Sequence, residues 1–201
     1  MKKLLSNTRS LTLLGVMLAI TLILDSTPLG AIPLGSISAT INHIPTIITA
    51  VILGPAAGFI MGTLLGLIGM LHALTRPVTV LDPLFANPLI SVLPRMFIGI
   101  SAYYVYSGLR KVIRNDSIKE SVSAVGAGIA GSLTNTVLVF MMLYLVYAQK
   151  VVEVMGVGFK VIIITVFTTN AIAEAVISAF ITTAIVLALK RQNKYNLADI
   201  K

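Results

Sequence analysis

Long apolar runs separated by short polar or basic breaks make up most of this chain. The runs predict helices at about residues 8–24, 44–53, 56–74, 89–109, 121–148 and 159–189. A helix needs about 20 apolar residues to cross the hydrocarbon core of a bilayer, and all but one of these runs approach or exceed that length. The exception, 44–53, predicts a short or tilted helix. We therefore predict an all-α integral membrane protein with six transmembrane helices in a single domain, 1–201.

The connection between the first two helices, residues 26–43, has a different character. Pro28, Gly30, Pro33 and Gly35 interrupt any helix here, yet the segment is too apolar for a free linker. We expect it to fold back over the helices as an ordered outer cap.

Composition and charge support a membrane location and give an orientation. The chain is 57% hydrophobic and only 11% charged, too little polar surface for a water-soluble globule. Most of its fifteen Lys and Arg residues lie at the termini and in the loop after the fourth helix: Lys2, Lys3, Arg9, Arg110, Lys111, Arg114, Lys119, Lys190, Arg191, Lys194 and Lys201. Only Arg76, Lys150 and Lys160 lie in the opposite loops. The positive-inside rule then places both termini of a multi-pass cell-membrane protein in the cytoplasm.

The basic start resembles a signal peptide, but no small-x-small cleavage site leads into a soluble chain, so we predict a retained first helix.

Several functional classes are disfavoured. The net charge of +8 does not indicate nucleic-acid binding, because the basic residues punctuate apolar runs instead of gathering on one face. The chain has no cysteine and only two histidines, His43 and His72, so we expect no metal site. It has no Gly-x-x-x-x-Gly-Lys-Ser/Thr motif and no catalytic-looking nucleophile or carboxylate pair. We expect neither an enzyme nor a cofactor in this chain.

Two ionisable residues within the apolar runs are candidate ligand contacts. An ionisable group in the hydrocarbon region costs at least about 2.5 kcal/mol, so it needs a partner or a function. Glu174 lies in the sixth predicted helix with Asn170 one turn earlier, and together they offer an acceptor and a donor to a buried ligand. Arg95 lies in the fourth helix, and its planar guanidinium suits a carboxylate. The alternative is that Glu174 and Arg95 form a structural ion pair.

Further polar residues extend this candidate site. Asn135 lies in the fifth predicted helix and offers two donors and an acceptor, although a hydrogen bond between helices explains it equally well. Asn42 and His43 end the outer cap, and Asn87 ends the second outer loop. All three lie where a lid would touch a ligand.

The third predicted helix carries a glycine stripe. Gly58, Gly62 and Gly66 recur every four residues, so one strip of its surface has no side chains. We predict that another helix packs closely there.

Short motifs spread along nearly the whole chain resemble those of a known family. In order they are Ile32-Pro33-Leu34-Gly35, Ile44-Pro45, Leu53-Gly54-Pro55, Pro94-Arg95, Gly131-Ser132-Leu133-Thr134-Asn135-Thr136 and Thr169-Asn170-Ala171-Ile172-Ala173-Glu174-Ala175. With its size and six-helix layout, the chain resembles the substrate-binding S components of energy-coupling factor (ECF) vitamin transporters. The resemblance implies a high-affinity vitamin binder without transport power of its own. Such a subunit docks on a transmembrane T subunit and two ATPases, and it is thought to topple in the bilayer.

The resemblance also implies a docking surface on the first helix. The family motif there is Ala-x-x-x-Ala, and this chain has Gly15-Val16-Met17-Leu18-Ala19, which differs in one letter but keeps two small residues four apart. We expect Gly15 and Ala19 to contact the T subunit, the alternative being a contact inside the chain.

The residues favour a small acidic vitamin. Arg95 and His43 suit an anion, and the aromatic content of 6% disfavours a large flat ring. Pantothenate fits best among the family's substrates, with hydroxymethylpyrimidine, a pyridoxine-like compound and riboflavin left open.

A self-powered secondary transporter using Glu174 and Arg95 is the main rival, but it would usually show an internal repeat that is not evident here. A membrane enzyme is disfavoured because the sequence lacks a metal cluster or a nucleophile–base pair. A purely structural membrane scaffold would not need so many buried polar groups.

Overall fold

The computed structural model describes residues 7–34, 37–77, 81–156 and 158–191, and it is a helical bundle with one small β-hairpin. The helices are α1 Thr8–Ser26, α2 Ile44–Leu53, α3 Pro55–Thr75, α4 Pro88–Ser91, α5 Leu93–Val112, α6 Asp116–Met155, α7 Phe159–Val166 and α8 Ile172–Arg191. Strands β1 (Ala31–Leu34) and β2 (Ile37–Thr40) pair antiparallel, with Ala31 opposite Thr40. Short 3₁₀ turns cover Pro28–Gly30 and Asp82–Ala86, and a π-helical segment covers Phe167–Ala171.

Helix starts and stops follow local chemistry. The side chains of Asn7 and Asn115 accept hydrogen bonds, each 3.0 Å long, from the backbone N–H two residues on, and so cap α1 and α6. Gly54 has a φ of 99°, which a residue with a side chain rarely adopts, and Pro55 then opens α3. This sharp turn places α2 directly beside α3.

The short helix α2 lies at the centre of the bundle. All its residues are buried, and it contacts α1, α3, α5, α6 and α8. Five helical stretches are long and apolar enough to cross a membrane: Thr8–Ser26, Pro55–Thr75, Pro88–Val112, Asp116–Glu153 and Thr168–Arg191. The sixth apolar helix, α2, has only 10 residues, about 15 Å at 1.5 Å per residue. The chain is therefore a multi-pass membrane protein, and the count of six complete spans stays a prediction.

The backbones of α3 and α5 approach each other closely at the glycine stripe. A Cβ atom added to Gly62 would lie 2.1 Å from the carbonyl oxygen of Arg95, and one added to Gly58 would lie 2.9 Å from Cα of Gly99. A Cβ on Gly66 would meet Cα of Val92 at 2.6 Å. No larger residue fits at these three positions unless the helices move apart.

Charged clusters join helix ends at both poles of the bundle. Glu120 on α6 accepts a hydrogen bond from Lys190 (2.6 Å), forms an ion pair with Arg110 (2.7 Å between Nε and Oε1), and also contacts the Tyr106 hydroxyl. At the other pole, Asp25 at the end of α1 lies 3.2 Å from His72 and 3.5 Å from Arg76. The Glu120 cluster defines what we call the basic pole.

The predicted boundaries differ from the structure in two places. The fifth predicted helix, 121–148, begins instead at Asp116, and the backbone of α6 leaves helical geometry at Tyr147 (φ −135°), next to the predicted end. A second helical stretch, with Lys150 exposed and Val151 buried, follows this kink to Met155 and ends at Gly156, which adopts the left-handed conformation (φ 67°). The sixth predicted helix, 159–189, is divided by the π-helical segment into α7 and α8.

Candidate functional site

Glu174 is held at the start of α8 by the end of the hairpin. Its side chain is buried, and Oε1 accepts hydrogen bonds from the backbone N–H of Thr40 (2.8 Å) and from the Thr40 hydroxyl (2.7 Å). The Thr136 hydroxyl on α6 is a further hydrogen-bonding neighbour of the carboxylate. Three separate parts of the chain, β2, α6 and α8, thus meet at one acidic group.

The helix that carries Glu174 is irregular just before it. The π-helical segment Phe167–Ala171 contains Asn170 and contacts β2. Single turns of π-helix inside α-helices are frequent at functional sites, because the extra residue reorients the side chains around it. Asn170 and Glu174 are therefore presented at a break in the helix instead of on a regular face.

The segment that joins the hairpin to α2 contains several buried polar atoms without hydrogen-bond partners in the described ranges. His43, at the start of α2, is only 2% exposed, and neither ring nitrogen has a hydrogen-bond partner among the described residues. The same holds for Oδ1 of Asn42 and the hydroxyl of Thr46. On α6, Oδ1 of Asn135 and the hydroxyl of Ser132 are also unpaired in the described part of the chain. Buried polar atoms are normally satisfied, so a group of such atoms indicates a place where a polar ligand binds.

His43 is neutral at physiological pH. It lies in the turn between β2 and α2, outside the spanning helices. Burial, with the charge of Arg95 adding to it, lowers the pKa of His43 to about 4. A neutral imidazole offers one donor and one acceptor, which suits hydroxyl and amide groups.

Arg95 is fixed by its own helix turn and by an aromatic ring. Nη1 donates to the carbonyl oxygen (2.6 Å) and the hydroxyl (3.0 Å) of Ser91, and the guanidinium lies 5.6 Å from the centre of the Phe85 ring. Arg95 and Glu174 form no ion pair with each other in the described structure. The positive charge is therefore near His43 without being neutralised by Glu174.

Comparison with known proteins adds the decisive observation. The family model of the ECF transporter substrate-specific component matches residues 9–186. The chain belongs to this family. The resemblance read from the sequence motifs is thereby confirmed, and the protein is a substrate-specific (S) component, a class of transport subunit.

A curated relative of this S component carries a substrate name. The pantothenic acid transporter PanT of Lactococcus lactis subsp. cremoris is 29% identical over 168 residues, which cover 77% of this chain and 79% of the relative.

Asn87 has hydrogen-bond partners of its own in this S component. Its side chain accepts from the N–H of Leu89 (3.0 Å), capping α4, and donates to the Tyr147 hydroxyl (3.3 Å). By contrast, Asn42 and His43 follow Thr40 directly in the chain, and Asn135 precedes Thr136. Asn42, His43 and Asn135 are thus within three residues in the chain of Thr40 or Thr136, the two hydrogen-bonding neighbours of Glu174.

Several residues of the site were not singled out in the sequence. Thr40, Thr46, Ser132 and Thr136 are small hydroxyl residues that also occur throughout membrane helices, so their type carries little information. Thr40 offered one signal, because it stands two residues before Asn42 at the end of the predicted cap. The pairing of Thr40 with Glu174 spans 134 residues and follows only from the fold.

Proposed function

We propose that this S component binds pantothenate in the site bounded by the hairpin, α2, α5, α6 and α8. The observation that carries the proposal is the group of buried, unpaired polar atoms around His43, Asn42 and Asn135 beside the Arg95 charge. Pantothenate has one carboxylate, two hydroxyls and an amide, so its polar groups are of the kinds that these side chains complement. The name of the curated relative supports the same choice.

Each end of such a ligand has a candidate partner. Arg95 would bind the carboxylate through the guanidinium nitrogens that do not already donate to Ser91. His43, Asn135 and Asn170 would exchange hydrogen bonds with the hydroxyl and amide groups. Glu174, already bonded to Thr40, would hold the hairpin over the bound molecule and accept from one ligand hydroxyl.

The test is direct binding with competing vitamins. Purified protein should bind pantothenate stoichiometrically in isothermal titration calorimetry, and an equal concentration of hydroxymethylpyrimidine, pyridoxine or riboflavin should not displace it. A matched control is the Asn115→Ala variant, because Asn115 caps α6 at the basic pole and should leave pantothenate affinity unchanged. Tight binding of one of the other vitamins, with pantothenate inert, would refute the assignment.

We further propose that this subunit docks through α1 on a T subunit with two ATPases and takes its energy from their ATP. Gly15 and Ala19 support this, because both are exposed and a Cβ added to Gly15 would meet no atom within 4 Å. A role in packing inside the chain would require such neighbours. The proposed setting is the bacterial cell membrane, with both termini in the cytoplasm.

The energy source distinguishes this proposal from a secondary transporter, which family membership does not favour. The chain alone in liposomes should bind pantothenate but accumulate none under a proton or sodium gradient. Adding the T subunit, the ATPases and ATP should start accumulation. Uphill uptake by the chain alone would refute the docking proposal but not the binding proposal.

A further inference from the structure

An apolar groove runs along the outside of the bundle between α6 and α8. Its floor consists of three small residues that recur every four positions, Ala171, Ala175 and Ala179, which are at most 9% exposed. Larger exposed side chains form its walls, with Ile129 and Leu133 on α6 and Val176 and Phe180 on α8 among them. The volume of the groove is about 700 Å³. Its lining includes neither Glu174 nor the hydrogen-bonding neighbours of Glu174, Thr40 and Thr136.

The dimensions of this groove match one lipid chain. From Ala171 to Ala184 it follows α8 for about 20 Å at 1.5 Å per residue. One leaflet of a bilayer has a hydrocarbon thickness of about 15 Å, so an extended acyl chain would lie along most of the groove. Thr183 is the only polar residue among those that line it.

The groove leads toward the basic pole. Arg191 follows Ala184 by seven residues, which is two helical turns, and it therefore lies over the same side of α8. Its side chain is exposed and forms no ion pair with the described residues. Beside it, Arg110 and Lys190 share the single carboxylate of Glu120, which leaves one positive charge in excess. An apolar groove that ends at uncompensated positive charge is complementary to an anionic lipid.

We propose that the groove between α6 and α8 is a specific binding site for one anionic phospholipid. One acyl chain lies on the alanine floor, and the phosphate lies against Arg191 at the basic pole. This proposal concerns a different surface from the vitamin site and from the exposed face of α1.

The test uses lipids of matched chains and variants matched in residue type. Detergent-purified protein is incubated with equal amounts of dioleoyl phosphatidylglycerol and dioleoyl phosphatidylcholine, and retained lipid is counted by native mass spectrometry. We expect one phosphatidylglycerol per chain, retained at least fivefold over phosphatidylcholine, since one cation near a membrane surface contributes about that factor. Ala184→Leu, which obstructs the end of the groove nearest Arg191, should reduce retention of both lipids. Ala19→Leu, at an exposed alanine on α1 outside the groove lining, should leave retention unchanged.

The headgroup contact has its own pair of variants. Arg191→Gln should reduce the preference for phosphatidylglycerol about fivefold while one lipid is still retained. Arg114→Gln, at an exposed basic residue in the loop before α6, should leave the preference for phosphatidylglycerol unchanged. Both substitutions are on the surface, so the folded protein should survive them even if Ala184→Leu does not. Equal retention of the two lipids by the unaltered chain would overturn the proposal, as would equal effects of Arg191→Gln and Arg114→Gln.

Discussion

The hydrogen bonds from Thr40 to Glu174 make a specific prediction about how the hairpin holds a ligand. Thr40→Val keeps the shape of the side chain and the backbone N–H bond of 2.8 Å but removes the hydroxyl bond of 2.7 Å. A hydrogen bond to a charged group contributes about 1.5 to 3 kcal/mol. Because 1.4 kcal/mol is a factor of ten, the equilibrium between the docked and undocked hairpin should shift by roughly ten- to a hundredfold.

This shift should appear in the rate of ligand release. If the hairpin must leave α8 before pantothenate escapes, Thr40→Val should raise the dissociation rate constant by roughly the same ten- to hundredfold and change the association rate constant little. The assay is release of radiolabelled pantothenate into an excess of unlabelled ligand. Glu174→Gln should show a smaller increase than Glu174→Ala, because the amide oxygen still accepts from Thr40.

A matched threonine provides the control. Thr27 lies at the end of α1 and donates its hydroxyl to the carbonyl oxygen of Ile23 (2.7 Å) within the same helix end. Thr27→Val therefore removes a bond of similar length that does not join the hairpin to α8. Equal release rates from Thr40→Val and Thr27→Val would refute this role of the Thr40 hydroxyl. So would full additivity of the effects of Thr40→Val and Glu174→Ala, because two partners of one contact should couple.

Four further outcomes follow from the described geometry. Arg95→Ala should weaken pantothenate binding at least tenfold and Arg95→Lys should rescue it in part, measured by calorimetry; unchanged affinity would remove Arg95 from the site. Gly62→Ala should lower the free energy of unfolding by about 1 to 3 kcal/mol because its Cβ would lie 2.1 Å from a backbone oxygen, whereas Gly15→Ala should not; equal melting temperatures would contradict the close approach. Gly15→Leu and Ala19→Leu should weaken co-purification with the T subunit and spare pantothenate binding; loss of both together would indicate internal packing. His43 has a folded-state pKa of about 4, below its unfolded value of about 6.5, so the ligand-free protein should lose up to about 3 kcal/mol of stability as the pH falls from 6.5 to 4. His43→Gln should flatten this dependence of stability on pH. The same pH dependence in His43→Gln and in the unaltered chain would refute the assignment to His43.

The sequence was informative about the site wherever a polar residue stood in an apolar run. Glu174, Arg95 and Asn135 stood out for this reason, and the structure places all three in the helical bundle. Thr40 did not stand out, because a hydroxyl residue in a Pro- and Gly-rich connection has no evident function until its distant partner is known. Asn followed by Pro is a helix N-cap pattern, and in the structure Asn87 caps α4, whereas its contact with a ligand stays a prediction.

Boundaries were harder to predict than the existence of helices. The predicted end of the fifth helix, 148, lies next to the kink at Tyr147, but the polar residues that follow form a second helical stretch to Met155. The π-helical segment before α8 also has no signature in its residues, since a single extra residue per turn leaves the apolar character of the run unchanged. Both features depend on packing against neighbouring helices, which a sequence pattern does not contain.

The two sides of the candidate site are held by different kinds of contact, and this difference indicates where a ligand enters. Arg95 belongs to α5, whose backbone touches the glycine stripe of α3 so closely that the two helices can separate only by losing packing along their length. Glu174 and the hairpin are joined instead by two hydrogen bonds from a single residue, Thr40. Breaking two hydrogen bonds costs less than separating packed backbones, because separation would lose the contacts along the whole length of both helices. Opening is therefore expected between the hairpin and α8, with α3 and α5 holding Arg95 in place to receive the anionic end of the ligand.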